Sequence, residues 1–266
     1  MIKDKFITKF DFDLTGSQLA VSKWDWKSVN DNTSEEEVKK IMNENQFDVI
    51  PIVNKADVIG FWSTRQNGAF NGGINRHNIS DAPKLYYQIT YKDLIAKFFD
   101  EKRHYFFLED KDKILGLITL SNLNNHNSYI YIYQILSDLE IGFSKLFKEH
   151  LDAKKVVNYF KENKNEEIRK KVYEPYSNLV KENIHTSIFD CLYISDIHII
   201  LKEFLNGIPN NKKSLNKYSI KFAKKYSDLR NTTMHPIRDL FSQIEDIETI
   251  NDLLNDYEEI KEILSK

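Results

Sequence analysis

Residues 47–63, FDVIPIVNKADVIGFWS, are the stretch that decides the fold of the N-terminal half. Two short runs rich in valine and isoleucine flank a turn at Asn54 and Lys55, the pattern of two adjacent strands. The preceding segment, 34–46, begins with Ser34, a residue type that caps helices, and has acidic residues in its first turn. The sequence therefore predicts a unit of helix, strand, turn and strand.

The same order of elements recurs in residues 90–123. Residues 90–103 have helical periodicity, and residues 104–123 contain two strand-like runs around the turn 110–112. Both copies end in a glycine, two further residues, a hydroxyl residue, two further residues and an amide. The members are Gly60, Ser63 and Gln66 in the first copy and Gly116, Thr119 and Asn122 in the second. An internal repeat of this kind predicts that the two copies pair around one core.

This repeated pattern resembles the CBS domain, a module found as tandem pairs that commonly bind adenine nucleotides in the clefts between the repeats. The resemblance implies an adenine nucleotide as regulatory ligand, with Ser63 and Thr119 at the position that contacts phosphate. Gln66 and Asn122 stand where the family has an aspartate that holds both ribose hydroxyls. Because a neutral amide replaces a charged acceptor, we expect ribose binding to be weaker by about 1–3 kcal/mol.

Residues 64–83 make the first copy irregular. The segment is rich in glycine and asparagine and contains Arg65, Arg76 and His77, so we expect a loop where a regular CBS unit continues into a helix. One interpretation is an ordinary surface loop. The other is a cationic loop that closes over a phosphate-bearing ligand, since backbone amides and arginines suit anions.

From about residue 127 the strand signals stop and helical periodicity takes over. Residues 128–151 predict a one-sided amphipathic helix whose apolar face consists of Ile132, Ile135, Leu136, Leu139, Phe143, Leu146 and Phe147. Further helices are predicted over 152–163, 178–205, 214–229 and 237–266. We therefore predict an α+β chain with a CBS-like domain in residues 1–126 and an antiparallel helical bundle in residues 127–266.

The segment 228–240, DLRNTTMHPIRDL, carries the second candidate site. On an unbroken helix, Arg230 and His235 would lie about 140° apart and would not share a face. Pro236 disfavours helical dihedral angles at His235 and lacks an amide hydrogen, so a bend is expected there. The plainer interpretation is a surface arginine, a histidine at a helix end and an ordinary proline stop.

The spacing Arg230-Asn231-x-x-x-His235 in a helical bundle resembles the HEPN superfamily, many of whose members are metal-independent ribonucleases. The resemblance implies a homodimer with a composite site, in which these residues cleave RNA without a cofactor. The residue types suit that chemistry, because a histidine exchanges protons near neutral pH and a guanidinium binds two phosphate oxygens. Asn231 would orient either one. A biological role in stress response, toxin action or antiviral defence is suggested only by the resemblance.

Charge is distributed unevenly around this motif. Residues 212–238 contain eight lysines and arginines and one acid, whereas residues 239–259 contain eight acids and no lysine or arginine. The basic segment either tracks an RNA backbone or pairs with the acidic helix within the bundle. On the first long helix, Glu140 either pairs with Arg230 or is a solvated glutamate.

Composition and charge also bear on several other kinds of function. The hydrophobic fraction of 41% is typical of a folded chain, and the net charge of −2 gives no general attraction to nucleic acid. The single cysteine, Cys191, excludes an internal disulfide, and no Cys/His spacing indicates a metal site. No apolar stretch is long enough for a membrane span, so we expect a cytoplasmic protein without a membrane partner. The hypothesis is a nucleotide-regulated endoribonuclease, and the alternative is a non-catalytic nucleotide sensor whose bundle dimerises or docks a partner.

Overall fold

The computed structural model describes residues 14–66, 69–235, 239–241 and 246–265, without the side chains of residues 65–66 and 69–72. The chain packs into two compact units. Unit 1 comprises the residues up to Tyr131 together with Phe241–Asn251, and unit 2 comprises Ile132–Leu240 together with the residues from Asp252 onward. The expected α+β class is confirmed, whereas the expected division between residues 126 and 127 stays a prediction.

The elements follow one another in the order that the repeat predicts for the N-terminal half. The strands are β1 (Val21–Ser22), β2 (Val29–Asn30), β3 (Val49–Asn54), β4 (Asp57–Gln66), β5 (Ala69–Asn78), β6 (Lys84–Tyr86), β7 (Tyr105–Asp110) and β8 (Lys113–Thr119). The helices up to residue 150 are α1 (Gly16–Leu19), α2 (Glu35–Asn45), α3 (Tyr91–Glu101), α4 (Leu120–Leu123) and α5 (His126–His150). Ser34 caps α2 by accepting a hydrogen bond from the Glu37 amide, as predicted.

Unit 1 contains two four-stranded sheets, one for each copy. The first has the order β2-β3-β4-β5 and the second the order β1-β8-β7-β6. In each sheet a short strand runs parallel to the strand that follows the helix, β2 beside β3 and β6 beside β7. The two strands after the helix form an antiparallel hairpin, β3 with β4 and β7 with β8. The helix-strand-strand repeat is therefore confirmed.

Side chains from both copies form one core in unit 1. Val49 and Phe61 of the first copy pack with Phe107 and Leu117 of the second in a single buried cluster. The rings of Phe61 and Phe107 lie 5.3 Å apart between centroids. The prediction that the copies pair around a common core is confirmed, since each copy supplies apolar area that the other covers.

The expectation of a loop over residues 64–83 is wrong. Strand β4 continues to Gln66, and β5 pairs with it antiparallel, with Gly60 opposite Asn78 and Phe61 opposite His77. A short 3-10 turn at Ile79–Asp81 follows. The asparagine and glycine residues that suggested a loop occupy an edge strand, where backbone pairing outweighs their low strand propensity. Half-buried His77 stacks on Phe61 at 4.8 Å and is therefore part of the sheet rather than of a closing loop.

The predicted apolar face of α5 is confirmed, because all seven of its members are buried. The remaining helices are α6 (Ala153–Lys161), α7 (Glu166–Ile168), α8 (Glu174–Lys181), α9 (Ile194–Glu203), α10 (Ser219–Ala223), α11 (Lys225–Met234) and α12 (Asp246–Ser265). A π-helical segment, Arg169–Tyr173, joins α7 to α8, and the 3-10 segments Ile188–Cys191, Leu205–Gly207 and Asn210–Tyr218 lie in the connections.

Three predicted helices are shorter or broken. Of the segment 178–205, the first part belongs to α8, and the rest is helical only as a 3-10 segment and as α9. The segment 214–229 is 3-10 at first and then breaks at Lys224, whose backbone angles of −127° and −83° are not helical. The last helix begins at Asp246 rather than at residue 237 and leaves Phe241 outside a helix. Apolar periodicity does not register these breaks, because buried turns carry the same residue types.

The lysines before the motif lie against the acidic helix of unit 2. Lys217 pairs with Glu259, and Lys221 contacts Asp256 at 2.7 Å. Lys225 contacts Asp252 at 3.3 Å. The interpretation that the basic segment pairs with α12 is confirmed for these three lysines, whereas RNA tracking by the segment stays a prediction.

Candidate functional site

A cavity of about 920 Å³ lies in unit 1 and contains the second copy's hydroxyl and amide residues. Its polar lining consists of Asp25, Lys27, Asn45, Gln46, Asp48, His104, Thr119, Ser121 and Asn122. Its apolar lining consists of Val21, Trp26, Phe47, Val49, Pro51, Leu117, Leu120 and Phe241. A lining that combines apolar and aromatic side chains with polar groups can hold a small molecule, and this volume lies within the usual range for such sites.

Thr119 and Asn122 are brought together because β8 ends at Thr119 and α4 begins at the next residue. Thr119 is the N-cap, and its Oγ1 accepts a hydrogen bond from the backbone amide of Asn122. In return, the Asn122 carbonyl oxygen accepts from the Thr119 backbone amide at 2.8 Å and from the Thr119 hydroxyl at 2.9 Å. This reciprocal capping box fixes both side chains at the cavity wall.

The first copy does not form the matching arrangement. Ser63 is fully buried inside β4, and its side chain hydrogen-bonds the phenol of Tyr105. Because β4 continues to Gln66, three residues of strand separate the two positions by roughly 10 Å. The side chain of Gln66 lies outside the described residues. The structure therefore leaves the predicted pair Ser63 and Gln66 separated along a strand and brings together only Thr119 and Asn122.

Several cavity residues were not identified from the sequence. Lys27 donates to the Asn45 side chain at 2.7 Å, and the Asp48 side chain accepts from Thr64 at 3.2 Å. Trp26 packs edge-on against Phe107 with ring centroids 6.4 Å apart, so its ring is held by the shared core. Trp26 and Lys27 lie before β2, and Asp48 lies directly before β3; no local motif marks them. Only the pairing of the two copies places them around one cavity.

Phe241 reaches the cavity from a distant part of the sequence. The side-chain amide of Asn124 donates to the Phe241 carbonyl at 2.9 Å and accepts from the Phe241 amide at 3.0 Å. Both residues belong to unit 1. This pair of hydrogen bonds reproduces a strand-like pairing with a side chain and anchors one wall of the cavity.

The second candidate site lies in unit 2 around Arg230. The Nε of Arg230 donates to an oxygen of Glu140 at 2.9 Å, which confirms the predicted pair between α11 and α5. The same Glu140 oxygen accepts from the backbone amide of Ile194 at 2.8 Å. The guanidinium carbon lies 4.8 Å from the ring centre of Tyr193, within cation–π distance. Tyr193 was not identified from the sequence, since an isolated tyrosine before a helix carries no signal.

Glu140 is partly buried, and desolvation raises the pKa of its carboxyl group. The charge of Arg230 and the Ile194 amide act in the opposite direction by stabilising the carboxylate. The neighbouring charge of Asp196 adds to the increase. Arg230 therefore serves to keep Glu140 ionised, and Glu140 in turn fixes the position of the guanidinium group.

The rest of the predicted motif is exposed. Asn231 and His235 both face solvent, and α11 ends at Met234. His235 has backbone angles of −124° and 76°, so it has left the helical register as the proline predicted. Pro236 itself lies outside the described residues. In the described part of the chain, no hydrogen bond joins the side chains of Arg230, Asn231 and His235.

Within residues 14–66, 69–235, 239–241 and 246–265, no group of three histidine, cysteine or acidic residues is placed to hold a metal ion. Over the same ranges, none of the helices combines the length and the apolar character that a membrane span requires.

Comparisons with known proteins concern about two fifths of the chain. Over 41% of its length the chain is similar to CBSX2 in complex with AMP, with 12% identity, 92% of that chain covered and a TM-score of 0.33. Over 41% it is similar to the CBS domain of the bacterial CNNM/CorC family Mg²⁺ transporter in complex with ATP, with 13% identity, 83% of that chain covered and a TM-score of 0.31. Over 42% it is similar to an uncharacterized conserved protein from Pyrococcus horikoshii, with 17% identity, 91% of that chain covered and a TM-score of 0.33. No protein-family model and no curated protein matches the chain.

Proposed function

We propose that unit 1 is a CBS-like nucleotide-sensing module that binds an adenine nucleotide in its cavity. The observation that supports this function is the cavity itself, about 920 Å³ in volume, with the Thr119–Asn122 capping box on its wall. Apolar and aromatic lining from Trp26, Phe47 and Pro51 suits the faces of a purine. The polar lining supplies the donors and acceptors that a sugar and a phosphate need.

Calorimetric titration of the full chain with AMP, ADP and ATP tests this function. Ser121 is exposed and lines the cavity, so Ser121→Trp fills the space without disturbing a buried contact. We expect the affinity of this variant for the nucleotide to be at least about tenfold lower, because the tryptophan side chain occupies the space that the ligand needs. Ser80→Trp is the matched control, since Ser80 is exposed in unit 1 and lies outside the lining set. If Ser121→Trp and Ser80→Trp bind the nucleotide with equal affinity, the ligand binds outside this cavity.

A second function, for which unit 2 offers separate support, is metal-independent cleavage of RNA by a HEPN-like homodimer. The supporting observation is that Glu140 and Tyr193 hold the Arg230 guanidinium, while His235 is exposed and outside the helix. Arg230 would neutralise the phosphorane charge, His235 would transfer the proton, and Asn231 would orient one of them. A second chain would supply the partner acid or base.

Labelled single-stranded RNA incubated with the protein in EDTA tests this second function. We expect His235→Ala to reduce cleavage about 10²- to 10⁴-fold, because one proton-transfer group is lost. His185→Ala is the matched control, since His185 is also exposed in unit 2. Absence of cleavage by the unaltered protein, with and without adenine nucleotides, would leave the sensor function alone. Molar mass in solution tests the homodimer.

A further inference from the structure

A second cation lies beside the Arg230 guanidinium in unit 2. The guanidinium carbon is 4.8 Å from the centre of the Tyr193 ring, and the ammonium nitrogen of Lys171 is 5.7 Å from the same centre. Both distances are within cation–π range. The tyrosine is 44% exposed, so the cluster lies at the surface of unit 2. One ring therefore brings together two positive charges from distant parts of the sequence.

Each of these cations is held by a carboxylate of its own. Glu140 accepts from Nε of Arg230 at 2.9 Å, and Asp196 lies 3.2 Å from the ammonium nitrogen of Lys171. Both carboxylates also accept a backbone amide hydrogen from the start of α9, at 2.8 and 2.9 Å. The side chain of Asp196 is 4% exposed and that of Lys171 is 42% exposed, so this pair buries its acid and keeps its cation in solvent.

The hydrogen-bond donors of the two cations are only partly used. In the described part of the chain, Arg230 donates through Nε alone, and its terminal amino groups have no partner. These amino groups are not among the fully buried atoms, so a ligand can reach them. Lys171 uses its ammonium group on Asp196 and on the hydroxyl of Ser195. A guanidinium has five N–H donors and an ammonium three, so both cations retain donors for an anion.

Two cations presented together suit two phosphates of one strand. The paired N–H groups of a guanidinium bind phosphate oxygens bidentately, and an ammonium binds phosphate as a point charge. The second cation is also carried by an unusual element, because Lys171 belongs to the π-helical segment Arg169–Tyr173. Such segments are rare in proteins and are frequent at functional sites. The position of this lysine beside Arg230 gives the segment a role at the site.

We infer that Lys171 is a second phosphate-binding residue of the Arg230 site and contacts the RNA strand next to the phosphate that Arg230 holds. This inference rests on the proposed RNA-cleaving function and adds to it a residue from outside the R-x4-H spacing. The lysine contributes affinity for the strand, whereas proton transfer stays with His235.

Fluorescence anisotropy with a labelled single-stranded RNA in EDTA tests this inference, with His235→Ala as the background in which the strand stays intact. Each lost phosphate contact on a single strand lowers the slope of log affinity against log salt concentration by about 0.7. We expect this decrease for Lys171→Met, together with an affinity about fourfold lower at 0.15 M salt. Lys171→Arg keeps the charge and should keep the slope. Lys170→Met is the matched control, because Lys170 is an exposed residue of the same segment and pairs with Glu166.

A second pair of variants separates the phosphate contact from the stability of unit 2. Removal of Lys171 alone leaves the buried Asp196 carboxylate without its cation, which is destabilising. Asp196→Asn removes that charge and keeps an oxygen that can accept the Tyr193 amide. The double variant Asp196→Asn, Lys171→Met differs from Asp196→Asn only at Lys171, and neither contains an unpaired buried charge. The slopes of these two variants should also differ by about 0.7.

The outcomes separate the inference from the function on which it rests. If the unaltered protein cleaves RNA, but Lys171→Met and Lys170→Met have equal slopes, the inference is wrong and the cleavage function stands. If the slope depends on Lys171 but the unaltered protein does not cleave RNA, the phosphate contact stands and the cleavage function is wrong. Absence of both binding and cleavage of RNA would overturn both proposals.

Discussion

The two copies of the repeat in unit 1 share a sequence pattern but use it differently. In both, the glycine lies opposite an added edge strand: Gly60 faces β5 and Gly116 faces β1. In the second copy the strand stops at the hydroxyl residue, which caps a helical turn. In the first copy the strand runs on, and the hydroxyl residue is buried. The same residue types therefore form part of a cavity wall or a piece of sheet, depending on what the following residues pair with.

The largest expected effects test whether the copies depend equally on their shared core. Phe61→Ala and Phe107→Ala should each lower the free energy of unfolding by about 3–5 kcal/mol, because each removes a buried ring from the same cluster. Urea denaturation measures both. The double variant should cost less than the sum, since the two rings contact each other. Tyr86→Ala, at a half-exposed ring, is the control; a small loss in only one of the two phenylalanine variants would contradict a common core.

The glycines of the pattern should differ in their tolerance of a side chain. A Cβ at Gly60 would lie 2.5 Å from the backbone carbonyl oxygen of His77, and a Cβ at Gly116 would lie 2.9 Å from that of Val21. We expect losses of about 3 kcal/mol for Gly60→Ala and about 1–2 kcal/mol for Gly116→Ala in the same denaturation assay. Gly73→Ala, where a Cβ meets nothing within 4 Å, should stay within about 0.5 kcal/mol. Equal losses of stability at all three glycines would mean that the contact between the new Cβ and the neighbouring strand is not the cause.

The N-cap that distinguishes the second copy should contribute less to the free energy of unfolding than the buried rings and the glycines. Thr119→Ala removes the N-cap of α4 and should cost about 1 kcal/mol. Thr119→Ser keeps the hydroxyl and should cost distinctly less. If the serine variant loses as much stability as the alanine variant, the methyl group rather than the cap accounts for the loss.

The smallest effect concerns the buried hydroxyl of the first copy. Burial raises the pKa of the Tyr105 phenol, while the Ser63 hydrogen bond and the Arg103 charge oppose that increase. Because the folded-state pKa exceeds the unfolded one, the folded phenol keeps its proton at higher pH, and the free energy of unfolding falls as pH rises above about 10. Ser63→Ala should raise the pKa of Tyr105 further and enlarge this fall by about a few tenths of a kcal/mol.

Denaturation at pH 9 to 11, with Tyr105→Phe as the reference that cannot ionise at this position, measures this contribution. If Ser63→Ala has the same pH dependence of stability as the unaltered protein, Ser63 does not influence the phenol.

The sequence predicts elements well where local signals agree. Ser34 and the acids after it mark the start of α2, and the apolar spacing of α5 identifies its buried face. Prediction fails for residues 64–83, because the low strand propensity of glycine and asparagine is overridden by backbone pairing with β4. It fails again at Lys224 and between residues 182 and 193, where apolar periodicity continues through breaks in the helix.

The candidate sites show the same division. Thr119, Asn122, Arg230 and the Glu140 partner of Arg230 were identifiable from residue type and spacing. Trp26, Lys27, Tyr193 and Phe241 were not, because each meets its site through contacts between segments far apart in sequence.

The sequence by itself determined the helix-strand-strand repeat, the helical C-terminal region and the residue types available for ligand chemistry, because these depend on local periodicity, caps and turns. Only the tertiary structure decided that the hydroxyl and amide residues of the second copy line a cavity, whereas those of the first copy lie in a longer strand. It also decided that the Asn122 side-chain oxygen accepts two hydrogen bonds from Thr119. The physical reason is that hydrogen-bond donors and acceptors are assigned by three-dimensional neighbours, so the group left over for a ligand is known only when every other partner is placed.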